Sequence, residues 1–61
     1  MILAYEIKRE IRRLELRRDL LKVQIDLVHP ESRFRTRLYL SLYHVQLELN
    51  KFKRELASLA A

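Results

Sequence analysis

Two histidines, each near a carboxylate, are the side chains in this sequence best able to bind a metal. Asp26 and His29 are three residues apart, and His44 and Glu48 are four apart. On a helix either spacing places two ligands on one face. A zinc site needs three or four ligands, however, and the chain has two His, no Cys and no Glu-x-x-His pair of the kind found in di-metal bundles. We therefore expect no metal site and no cofactor.

Catalytic groups are equally sparse. With no Gly and no Cys, the sequence has neither a glycine-rich phosphate loop nor a thiol nucleophile. It also has no set of nucleophile, base and acid, and no pair of carboxylates on an inward-facing position. The sequence predicts a protein that is not an enzyme, with no catalytic residues and no small-molecule substrate.

The composition favours an all-α fold in a single domain covering residues 1–61. The chain has no Gly and one Pro, and its commonest residues are mostly good helix formers. A domain of about 60 residues buries only ~60% of the surface that its unfolded chain exposes. Small chains without disulfides or metals usually gain stability from oligomerisation or very regular helix packing.

A first helix is predicted over residues 2–28, because apolar residues recur at alternating spacings of three and four. This pattern is the a/d seam of a coiled coil. The seam consists of Ala4, Ile7, Ile11, Leu14, Arg18, Leu21, Ile25 and Val28. Arg18 is the one charged residue in it. We expect its methylenes to lie along the seam while its guanidinium either reaches water or pairs with a carboxylate, for which Glu48 of the second helix is the candidate.

Pro30 interrupts the pattern and predicts a turn over 29–32, since proline disfavours the helical conformation of the residue before it. The second helix, over 31–60, starts either with Pro30 and Glu31 in its first turn or with Ser32 as the N-cap. Its seam is Phe34, Leu38, Leu42, Val45, Leu49, Phe52, Leu56 and Leu59. An antiparallel, coiled-coil-like hairpin is favoured over a bent helix that swaps between two chains, although swapping remains open.

Near the turn, both helices carry a second apolar stripe in addition to the seam. A helix that is apolar on opposite sides is normally buried on both, and a 61-residue hairpin has nothing left to cover these stripes. We therefore predict a structural, self-assembling interaction module, with a homodimeric four-helix bundle as the first choice. The predicted oligomer interface is Leu16, Leu20, Val23, Leu27, Tyr39, Leu40, Tyr43 and Leu47.

The alternative function is nucleic-acid binding, because the net charge is +5 and basic surfaces attract phosphate. The candidate contacts are Arg9, Arg12, Arg13, Lys51 and Arg54. Pairs such as Glu10 with Arg13 are expected to neutralise part of this charge. In length and layout the chain resembles the repressor-of-primer type of hairpin, two copies of which form a four-helix bundle that binds paired RNA loops. That resemblance implies RNA as the nucleic acid.

No membrane span is predicted, and a cytoplasmic location is expected. The longest uncharged run, 38–47, is about half of the ~20 residues that cross a bilayer, and the Met1–Ala4 start is too short for a signal peptide. Clean heptads without Gly are typical of designed sequences, whereas Arg18 in the seam and three Tyr are typical of natural ones. Either origin fits.

Overall fold

The computed structural model describes residues 3–60, and these form two helices packed along each other. Helix α1 covers Ala4–Leu27 and helix α2 covers Arg33–Ala60. The predicted all-α helical hairpin is confirmed. Its outline of 45 × 16 × 14 Å is that of a rod two helices wide. Both helices are shorter at their turn ends than the predicted ranges of 2–28 and 31–60, and residue 2 lies outside the described part.

The seam between the helices is the only core among the described residues. Its buried members are Ile7, Leu14, Leu21, Ile25, Leu38, Val45 and Leu49. Ile11, Val28, Leu42 and Phe52 are partly buried beside them. All eleven occupy predicted seam positions, so heptad spacing correctly identified the core. Leu49, at mid-height in the rod, has no solvent exposure.

Three of the predicted seam residues are exposed, because little apolar surface of the opposite helix lies against them: Ala4, Phe34 and Leu59. Phe34 is 57% exposed; it sits at the start of α2, level with the turn and beyond the last residue of α1. Leu59 is also exposed, near the chain ends where its expected neighbour is the small Ala4. The seam therefore supports fewer layers than its heptads suggest.

The turn is built by two side-chain contacts to backbone N–H groups. Ser32 is the N-cap of α2: its Oγ accepts a hydrogen bond from the Phe34 N–H at 3.2 Å, which satisfies one of the unpaired donors of the first turn. His29 Nδ1 accepts a hydrogen bond from the Glu31 N–H at 3.2 Å. Pro30 and Glu31 thus lie in the turn and not in the first turn of α2. Of the two predicted starts of α2, the one with Ser32 as the N-cap occurs.

Arg18 lies in the seam as predicted, but its expected pairing with Glu48 was wrong. The Arg18 side chain is 23% exposed, and its Nε donates to the Oδ1 of the adjacent Asp19 at 3.1 Å. The Arg18 side chain is long enough for its methylenes to cover apolar neighbours while its guanidinium reaches the edge of the seam. Asp19 on α1 therefore accepts the hydrogen bond that was expected to go to Glu48 on α2.

Replacing Ser32 by Ala should lower the free energy of unfolding by about 1 kcal/mol, because the α2 N-cap is lost. Urea unfolding followed by circular dichroism measures this at fixed protein concentration. Ser58→Ala is the matched control, since Ser58 is exposed near the end of α2 and should change stability by less than about 0.5 kcal/mol. Equal effects at both positions would contradict the capping role.

Replacing Arg18 by Leu should raise the free energy of unfolding by about 1 kcal/mol, because apolar packing replaces a guanidinium whose contact is with an exposed neighbour. Arg17→Leu is the control, as Arg17 is exposed beside the seam. The same urea titration measures both. A loss of stability in Arg18→Leu would show that the Arg18 pairing outweighs apolar packing.

Candidate functional site

The most unusual surface of this hairpin consists of large apolar side chains that its own fold leaves uncovered. All eight residues of the predicted oligomer interface are exposed, from 48% for Leu47 to 81% for Leu27. Scattered exposed apolar residues are ordinary, but contiguous exposed patches mark interaction sites. Within residues 3–60, these eight exposed side chains outnumber the seven apolar side chains buried in the seam.

The predicted interface is divided between two opposite sides of the rod. On α1, Leu16, Val23 and Leu27 each follow a buried seam residue by two positions. Two residues correspond to about 200° around a helix, so these side chains point away from α2. Leu20 belongs to the same stripe, three or four residues from its neighbours. We call Leu16, Leu20, Val23 and Leu27 the α1 outer face.

Helix α2 repeats this arrangement on the other side. Leu40 and Leu47 follow buried Leu38 and Val45 by two positions, and Tyr43 precedes Val45 by two. Leu40, Tyr43 and Leu47 form the α2 outer face, which points away from α1. The two outer faces therefore lie back to back and do not form one continuous surface.

Tyr39 does not belong to the α2 outer face. It follows buried Leu38 by one position, about 100° around the helix, and so lies on a lateral side of the hairpin. Its ring lies 5.5 Å from the Arg35 guanidinium carbon, and its hydroxyl accepts a hydrogen bond from Arg35 Nη2 at 3.4 Å. The cation–π contact with Arg35 explains the position of the Tyr39 ring without a second molecule. The sequence pattern did not predict this contact.

The five predicted phosphate contacts are all exposed, and they too are divided between the two helices. Arg9 and Arg12 stand two positions from buried Ile7 and Leu14, on the side of α1 that carries its outer face. Lys51 and Arg54 have the same relation to Leu49 and Phe52 on α2. Each outer side of the rod is thus apolar toward the turn and basic toward the chain ends.

Arg13 differs from the other four because it is already paired. Glu10 Oε2 accepts hydrogen bonds from Arg13 Nε and Nη2 at 3.1 and 2.8 Å, which confirms the predicted pair. This contact raises the pKa of the Arg13 guanidinium above its ordinary value. A phosphate would compete with Glu10 for this side chain, so Arg13 contributes less to an anion site than its charge suggests.

A polar groove of about 310 Å³ runs along one lateral side between the helices. Leu14 and Val45 form its floor, and its walls are Arg13, Arg17, Ser41, His44 and Glu48. The structure therefore brings His44 and Glu48 to one groove, as their spacing predicts. The His44 ring packs edge-on against Tyr43 at 5.8 Å. The His, Arg and Glu side chains around the groove are exposed to water.

Metal and membrane sites have no geometric support within residues 3–60. No three His, Asp or Glu side chains of that range gather into a group that could hold a metal ion. His29, the other histidine considered as a ligand, supports the turn through the Glu31 N–H instead. Neither α1 nor α2 is long and apolar enough to cross a membrane.

In comparisons with known proteins, no family model matches this sequence, and no curated protein or solved structure is detectably similar to it. Its function must therefore be inferred from the surfaces described above.

Proposed function

We propose that this hairpin is a structural interaction module that self-associates through its apolar outer faces and catalyses no reaction. The observation that supports this most directly is the exposure of the α1 outer face, whose four aliphatic side chains are each more than half accessible. Their 4-3-4 spacing is that of a coiled-coil seam. The surface that such a seam fits best is another helix with the same spacing.

The energetics favour burial of these faces. Full burial of one leucine-sized side chain stabilises by about 1.5–3 kcal/mol, while a two-helix rod with seven buried residues has little stability to spare. Association through either outer face adds a second core beside the first. Two copies joined in this way form the smallest assembly, of four helices.

Wild-type protein should have a solution mass above that of a monomer at micromolar concentration, and Leu20→Glu combined with Leu40→Glu should reduce it to the monomer mass. Both residues are exposed in the hairpin, so the charges disrupt association while the seam and the helices stay intact. Sedimentation velocity measures the mass, and circular dichroism checks the helix content.

The matched control is Tyr5→Glu combined with Ser58→Glu. It adds the same two charges to the same two helices at exposed positions near the chain ends, away from the outer faces, and its mass should equal that of the wild type. A monomeric wild-type protein would overturn the proposal, because the outer faces would then be stable in water.

Nucleic-acid binding is the second candidate, supported by the exposure of the Arg9, Arg12, Lys51 and Arg54 side chains. Each outer side presents two of these cations about one helical turn apart. Such pairs attract any phosphate backbone without reading its sequence, and salt weakens the attraction steeply. This function would use the basic end of the rod, where the chain termini lie, and leave the apolar outer faces free for association.

Titration with duplex and hairpin RNA should show binding at low salt that falls steeply as salt is raised. Arg9→Gln with Arg12→Gln should weaken it more than Arg33→Gln with Arg37→Gln, which removes the same charge from exposed positions near the turn. Absence of binding at low salt would exclude this candidate. Equal losses in both variants would show that only net charge acts.

A further inference from the structure

The two outer faces cannot be covered by one flat contact, because they point in opposite directions. Each outer-face residue lies about 200° from a seam residue next to it on its own helix, and the seams of α1 and α2 face each other. A membrane surface, or one partner helix lying along the rod, would cover one outer face and leave the other in water. In a four-helix bundle, all four helices pack around one shared core. Such a core can cover one outer face of this hairpin, but it cannot cover both.

The lateral sides of the rod are polar and do not offer an alternative contact. On one side, Lys53 Nζ reaches across to Glu15 Oε2 at 3.9 Å. On the other side is the polar groove walled by Arg13, Arg17 and Glu48. Stacking two hairpins flat on either side would bury these charges, which is unfavourable unless each is paired. Association is therefore directed along the line through the two helices.

From these observations we infer that the hairpin, whose self-association is itself the function proposed above, assembles from both outer faces at once and so adds copies side by side beyond a dimer. The occupant of each outer face is a second copy of this chain. Each molecule then has two neighbours, one against α1 and one against α2.

The spacing of the faces supports a helix of this same chain as the occupant. Leu16, Leu20, Val23 and Leu27 are spaced four, three and four, and Leu40, Tyr43 and Leu47 are spaced three and four. The intramolecular seam uses the same alternation. The outer faces extend over about 17 Å on α1 and about 10 Å on α2 at 1.5 Å per residue. Both lie at the same height near the turn, so helices of neighbouring copies can lie along each other.

Each contact between two copies buries little area. Four leucine-sized side chains offer about 400 Å² at roughly 100 Å² each, about half of the ~800 Å² that one partner contributes to a stable interface. Because the two outer faces contact different neighbours, their areas do not add within one contact, and each contact is weak. Contacts that do not close into a ring continue as an open row, so the assembly should grow with concentration.

The experiment compares four proteins by sedimentation velocity over a range of concentrations: wild type, Leu20→Glu alone, Leu40→Glu alone, and both together. The wild type should exceed the dimer mass and grow as concentration rises. Each single variant keeps one outer face and should stop at a pair of copies. If unlike faces pair, each single variant is instead a monomer and the two form a dimer when mixed in equal amounts, which also requires both faces. The double variant should be a monomer.

Three results would overturn the inference. A wild type that stops at the dimer at every concentration would leave self-association standing and show that one contact is enough. If one single variant is monomeric and the other keeps the wild-type mass, only one face is used. If both single variants are monomeric and do not combine when mixed, the two faces do not form separate contacts. A monomeric wild type would instead refute the proposed function itself. Tyr5→Glu and Ser58→Glu, each alone, should leave the mass unchanged in every case, because both residues are exposed near the chain ends, away from the outer faces.

Discussion

The structure depends on one interaction, the packing of α1 against α2 along a single apolar seam. Seven residues are buried there, and every other feature follows from their positions. The turn only has to bring the second seam back against the first. The lateral sides are polar because they flank the seam, and the outer faces are exposed because they lie opposite it. A chain of this length can form one such seam, so any further apolar stripe must remain at the surface until another molecule covers it.

The helical hairpin and its buried seam could be predicted from the sequence, because burial in the seam follows from the periodicity of the apolar residues. Leu14, Leu21, Val45 and Leu49 were identifiable from alternating spacings of three and four. The opposite orientation of the outer faces was also readable in principle, since Leu16, Val23 and Leu27 each follow a buried residue by two positions. The eight residues predicted as one interface therefore divide between opposite sides of the rod.

Other features depend on choices between nearly equivalent contacts, which spacing does not decide. Arg18 was expected to pair with Glu48, but Glu48 lines the polar groove with Arg13 and Arg17, and the adjacent Asp19 accepts the hydrogen bond from Arg18. The start of α2 was compatible with Pro30 or Ser32, and the Ser32 hydroxyl fixes it. Phe34 fits the heptad but has no opposite residue, because α1 ends at Leu27. Tyr39 is drawn to Arg35 by a contact within one turn of helix. In each case the outcome depends on where the neighbouring chain ends or which side chain is nearest.

The antiparallel path has a consequence for anything attached to this rod. Leu3 and Ala60, the first and last described residues, lie at the same end, beside the basic side chains. The outer faces begin about 20 Å from that end, at 1.5 Å per residue, and extend toward the turn of the 45 Å rod. A cargo fused to either terminus would therefore be held clear of the apolar contacts. In a side-by-side assembly such cargoes would line its margins, at a lateral interval set by the width of the hairpin.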